Sequence, residues 1–98
     1  MVAEVKKRVA VIGGDAKKIR RHVGDDSLRY YSSSHNGGNG DAAMLTAAIR
    51  AGGVDEVWIL WPCIGHPERD GVIAACRAQE VAIVWVNGPG EIKTRLAS

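Results

Sequence analysis

What this 98-residue sequence lacks narrows its function more than what it contains. With only two cysteines, Cys63 and Cys76, it can build neither a disulfide scaffold nor, from thiolates alone, a structural zinc knuckle. No apolar run approaches the roughly 20 residues that span a bilayer. The opening Met1-Val2-Ala3-Glu4-Val5-Lys6-Lys7-Arg8 lacks the basic-then-apolar order of a secretion signal, so a cytoplasmic location and no membrane partner are expected. Neither the dinucleotide fingerprint nor the phosphate loop ending in Gly-Lys-Ser/Thr occurs, which removes the usual sequence grounds for a nicotinamide cofactor or ATP.

Charge of one sign is also scarce overall, the formal net being +2, yet its distribution is uneven. Residues 1–31 carry eight Lys/Arg against four Asp/Glu, and the remainder is net acidic. Lys17, Lys18, Arg20 and Arg21 crowd one stretch with helical spacing. With no nucleic-acid motif beside them, these cations read as a solvated helix face, and nucleic acid is not an expected partner.

What is present is a regular alternation of strand and helix signals over a chain of one domain's length, 1–98. Val9 to Ile12 is a short apolar run ended by Gly13-Gly14, the pattern of a strand covered on both faces. Asp15 suits the N-cap of a helix over 16–23, with Gly24 as its stop. A second, more polar strand is expected over 27–32. Asp41 is placed as the cap of a helix over 42–51. Residues 56–61 form the strongest strand, and Pro62 stops it. A tight loop from Cys63 to His66 follows, with Pro67 in the first helical position and Val72, Ile73 and Cys76 as the buried stripe. Val81 to Val86 is the fourth strand, followed by a short helix from Glu91.

Parallel strands joined by right-handed crossovers give an α/β fold. The expectation is a small Rossmann-like three-layer sandwich with a four-stranded parallel sheet in the order 2-1-3-4. Ligand sites in such sheets lie beyond the carboxyl ends of the strands. Gly13, Gly14, His35, Gly37, Gly38 and the Cys63-to-His66 loop all fall there. The glycines leave room for a ligand to approach the backbone, while His35, His66 and Cys63 form a candidate set for a transition metal, iron or zinc. A small anion or small molecule is the expected partner.

Cys63-Ile-Gly-His-Pro-Glu-Arg69 resembles the phosphate loop of low-molecular-weight tyrosine phosphatases and related arsenate reductases. That resemblance implies a catalytic pair, Cys63 as nucleophile and Arg69 as oxyanion clamp. Pro67 removes one N–H from such a loop, and Asp70 stands where that family has a hydroxyl residue. A wider resemblance rests on Val-Ile-Gly-Gly at the first strand, Ser-His-x-Gly at His35 and Ile-Gly-His at His66. These look like the bacterial family called domain of unknown function 2325, with Gly65 in place of its usual serine. It implies the same fold and points to Gly13, Gly14, His35 and His66.

Trp58 and Trp61 alternate onto opposite faces of their strand, and with Trp85 they are expected in the core or at an interface. The fourth strand has no charge between Val81 and Asn87 and carries Trp85, so a homo-oligomer through that edge is expected.

Overall fold

The computed structural model describes residues 7–33 and 40–97. The elements run β1 Val9–Ile12, α1 Ala16–Val23, β2 Arg29–Tyr31, α2 Asp41–Arg50, β3 Glu56–Leu60, α3 His66–Ala78, β4 Ala82–Val86 and α4 Pro89–Leu96, with a 3-10 turn at Trp61–Cys63 between β3 and α3. All strand pairs are parallel and the order is β2-β1-β3-β4. The α/β architecture and strand order read from the sequence are therefore the observed ones. None of the described helices is long and apolar enough to cross a membrane.

Alternation along the inner strands divides the core in two. Ala10, Ile12, Val57 and Ile59 meet Leu45 and Ile49 of α2 and Val72, Ala75 and Cys76 of α3. Val11, Trp58 and Leu60 point the other way, toward Ile19 of α1 and Ile92 of α4. Each fully buried aliphatic side chain contributes about 1.5–3 kcal/mol, so both helical layers are needed to hold the sheet. At the opposite end from the strand-end rim, Arg8 grips Asp55 through its backbone N–H at 2.7 Å and two guanidinium bonds at 3.1 Å, which holds the Asp55 carboxyl below its usual range.

α1 begins and ends as its sequence demands. The Asp15 carboxylate accepts from the N–H groups of Lys17 and Lys18, and Gly24 closes the helix at φ +75°. Elsewhere the boundaries shift for identifiable reasons. β2 is shorter than expected because Ser27 is drawn into a turn, its N–H donating to Asp25 at 2.8 Å. Asp41 is not the cap of α2 but its first residue, preceded by Gly40 at φ +89°, and its carboxylate accepts from the Ser32 N–H at 2.8 Å. Pro67 is the second residue of α3, because His66 is already helical. α4 starts at Pro89, two residues before the expected Glu91. Trp61 leaves the strand for the 3-10 turn and is 47% exposed, so only Trp58 of that pair is core. On α3, Ala75 rather than Ile73 completes the fully buried stripe with Val72 and Cys76.

Candidate strand-end site

Three strand ends are tied together at Gly13 and Gly14. Gly13 has φ +128°, and an added Cβ would lie 2.8 Å from the Leu60 Cβ and 3.0 Å from the Leu60 carbonyl oxygen. Only a residue without a side chain lets the end of β1 lie so close to the end of β3. The Gly13 N–H donates to the Tyr31 carbonyl at 3.1 Å, the Gly14 N–H to the Cys63 carbonyl at 2.8 Å, and the Ser33 N–H to the Gly14 carbonyl at 2.9 Å. Both glycine N–H groups are thus occupied by the fold. These glycines shape the rim by close approach and do not offer those donors to a ligand.

The start of α1 is likewise complete. Besides the Asp15 cap, the Ala16 N–H donates to Ser32 Oγ at 2.8 Å, and the Asp41 carboxylate holds the Ser32 N–H. Asp41, Ser32 and Ala16 form a chain linking the starts of two helices to the end of β2. Ser33, fully buried, stands at the foot of the segment that carries His35. His35, Gly37 and Gly38 lie outside the described residues. Ser32 and Asp41 were not singled out as site residues from the sequence, although a serine just past a strand and an acid at a helix start are the local signals for such anchoring.

The exposed part of the rim is the β3–α3 connection. Cys63 is solvent-exposed at the end of the 3-10 turn, and Gly14 packs near its Cβ. Ile64 and Gly65 are extended, at φ −139°, ψ 140° and φ −72°, ψ 152°, and the helix begins at His66. Gly65 supplies no side-chain cap to α3. An Arg69 guanidinium N–H donates to Nδ1 of His66 one helical turn earlier, and Arg69 Nε lies 3.9 Å from the exposed Asp70 carboxylate. Since a guanidinium has no acceptor, Nδ1 must be the ring's lone-pair nitrogen, and the proton of the neutral ring sits on Nε2.

This arrangement bears on both chemistries expected from the sequence. His66 is exposed and Cys63 is exposed, but among the described residues no group of three or more His, Cys, Asp and Glu side chains is placed to hold a metal. A metal on Nε2 would need the ring proton on Nδ1, where Arg69 already donates, and would lie beside a fixed positive charge. Cys63 and His66 are thus two of the three expected ligands, and the third, His35, lies outside the described residues. The Cys63-to-Arg69 segment does not form the backbone N–H loop around the Cys63 thiol that the phosphatase resemblance implies: its middle is extended, Pro67 has no N–H, and Arg69 turns to His66 and Asp70 with no hydrogen bond to Cys63.

The two thiols differ sharply. Cys76 is fully buried, and burial pushes its pKa up, whereas Cys63 is open to solvent. Alkylation of the native protein at neutral pH should therefore modify Cys63 alone, with Cys76 labelled only after unfolding. Peptide mapping checks this, and native labelling of Cys76 would show that α3 does not seal the core as described.

No family model matches this chain, and no curated protein matches it either. Its fold is similar to a solved structure described as a conserved protein of unknown function, AF0625, with a TM-score of 0.59 at 12% sequence identity. The likeness covers 95% of this chain and 34% of that one, so the chain spans about a third of the length of the protein it resembles. At that identity the likeness concerns the fold alone.

Proposed function

We propose that this chain is a small ligand-binding module, of the kind used in sensing or regulation, that holds a small anion at the carboxyl ends of its strands through His66 and Arg69. The single observation that carries the reading is the Arg69-to-His66 bond at the start of α3. It turns the imidazole into a donor at Nε2, places a guanidinium beside it, and leaves the uncapped start of α3 adjacent to both. Cys63 borders the site as an exposed neighbour. Gly13 and Gly14 serve by bringing the strand ends together, and His35, Gly37 and Gly38, outside the described residues, are kept as candidate contacts from the sequence. Gly13, Gly14 and His66 also support kinship with the domain of unknown function 2325 family.

Calorimetric titration of inorganic phosphate and of zinc into wild-type protein tests this reading. Saturable phosphate binding, weakened in His66→Ala and Arg69→Ala, is the expected result. Stoichiometric zinc retention with no phosphate binding would replace it with the metal reading of His35, His66 and Cys63.

We further propose that the module works as a homodimer paired through β4. β4 is an edge strand of five residues with no charge or proline, and Trp85 on it is 44% exposed. Edges of that kind are normally blunted, and pairing with a second copy about a two-fold axis, the commonest oligomer symmetry, would cover this one. Sedimentation should give a dimer at micromolar concentration that Trp85→Lys converts to monomer. A wild-type monomer under those conditions contradicts it.

A further inference from the structure

The rim does not use a basic surface on the far edge of the sheet. There α1 and the edge strand β2 border a cleft of about 430 Å³, lined by Lys17, Arg20, Arg29, Leu28, Tyr30 and Tyr31 among others. A second cleft of about 420 Å³ shares Lys17, Arg20 and Asp26 with the first and adds Arg21. The two clefts adjoin at these shared residues, and the two together are termed the groove. The sequence places Lys17, Arg20 and Arg21 on a solvated face; the fold adds Arg29 from a different element, together with an apolar floor at Leu28, which is 7% exposed.

The one carboxylate among the residues lining the two clefts is Asp26, which lines both. Asp15 is engaged by the backbone of α1, and Asp25 by Ser27. Asp26 pairs with Arg20 at 3.0 Å, but both side chains are open to water, so the pair is worth little and yields readily to a better anion. Lys17, Arg21 and Arg29 make no ion pair with any described residue. The Tyr30 hydroxyl donates to the Asp25 carbonyl at 2.8 Å, which fixes its ring at the border of the first cleft.

We infer that this groove binds the phosphodiester backbone of a single-stranded nucleic acid. Cations at i, i+3 and i+4 share one helix face over about 6 Å of its axis, and Arg29 on β2 extends the basic lining beyond that turn. Positive charge beside the Tyr30 ring and an apolar floor suits a chain of phosphates whose bases rest against the protein. Recognition of this kind is dominated by charge and tolerant of sequence.

Fluorescence anisotropy with a labelled oligonucleotide of about 12 nucleotides, on the full chain, tests the inference. Four participating cations give a slope of log affinity against log salt between about −2 and −3. The double variant Lys17→Glu/Arg21→Glu should lose at least about tenfold in affinity at low salt and flatten that slope. Arg29→Ala should weaken binding without touching α1. Arg77→Glu, on α3 of the opposite layer, should leave it unchanged, and coincident thermal melts would establish that the variants fold. The inference is overturned if wild type does not bind at low salt, or if Arg77→Glu weakens binding as much as the groove variants do. Tighter binding of a duplex of the same length overturns it, and so does full competition by inorganic triphosphate at equal phosphate concentration. Phosphate titration at His66 reports on the rim separately, because Arg69 is not part of this groove.

Discussion

Replacing Gly13 by alanine is expected to cost about 3 kcal/mol or more of folding stability, out of the roughly 5–15 kcal/mol a domain of this size holds. Two penalties coincide there. Its φ of +128° lies where L residues are essentially excluded, and the new methyl would overlap the Leu60 Cβ and carbonyl, backbone-anchored atoms that cannot swing aside. The neighbouring glycines set a scale. Gly14 has φ +62°, in the left-handed region that other residues reach at a cost of about 1–2 kcal/mol, and the nearest atom to its added Cβ is the flexible end of Ile19. Gly24, at φ +75°, has nothing within 4 Å of its added Cβ. Urea unfolding should therefore rank the losses Gly13→Ala, then Gly14→Ala, then Gly24→Ala, with the midpoint moving and the slope unchanged. Equal losses at all three would mean that β1 and β3 do not meet as closely as described.

The second large effect concerns the rim, where Arg69→Ala should move anion and cation binding in opposite directions. A charge-assisted hydrogen bond contributes about 1.5–3 kcal/mol, so losing the guanidinium should weaken phosphate by roughly 10–100-fold. The same change frees Nδ1 of His66 and removes a repelling charge, so any weak zinc affinity of the rim should rise. Arg69→Lys keeps the charge and loses the planar fork, and belongs between wild type and Arg69→Ala. Asp70→Asn, which removes the carboxylate 3.9 Å from Arg69, should strengthen phosphate slightly, since the competing pair is exposed. A fall in both ligands' affinity in Arg69→Ala would indicate a disturbed helix start instead of a lost ligand contact, and circular dichroism separates the two.

The fold was legible because its strongest signals are redundant. Val9 to Ile12 and Glu56 to Leu60 are apolar on both faces and end in glycine or proline, which specifies central parallel strands with little ambiguity. Asp15 and Gly24 bracket α1 with complementary end signals, and the observed helix has the expected limits. Two of the misplaced boundaries share one cause. At Gly40-Asp41 and His66-Pro67, two neighbouring residues are each acceptable at the helix start, and sequence alone does not say which takes up helical dihedrals.

That one-residue shift at Pro67 mattered for the site. With α3 started at Pro67, His66 falls in a loop and pairs naturally with distant partners, His35 or Cys63. With His66 helical, it stands three residues from Arg69 on one helix face, and the contact between them follows from helix geometry. The signal was the His-Pro-Glu-Arg run itself. The role of Gly13 and Gly14 was only half legible. Punctuation by two glycines marks a close approach, but whether a ligand or the Leu60 backbone makes that approach depends on long-range packing. The basic groove was illegible for a similar reason: Arg29 and Tyr30 join Lys17 and Arg20 only because β2 is the edge strand beside α1.

The state of the His66 ring tests the central claim most directly. Nitrogen-15 NMR of the imidazole distinguishes the two neutral tautomers, and the same sample can be titrated with phosphate. The account predicts that the proton resides on Nε2, with Nδ1 accepting from Arg69, and that the Nε2–H resonance moves as phosphate is added. A ring protonated on Nδ1, with Nε2 unaffected by phosphate and shifting instead on addition of zinc, would contradict it.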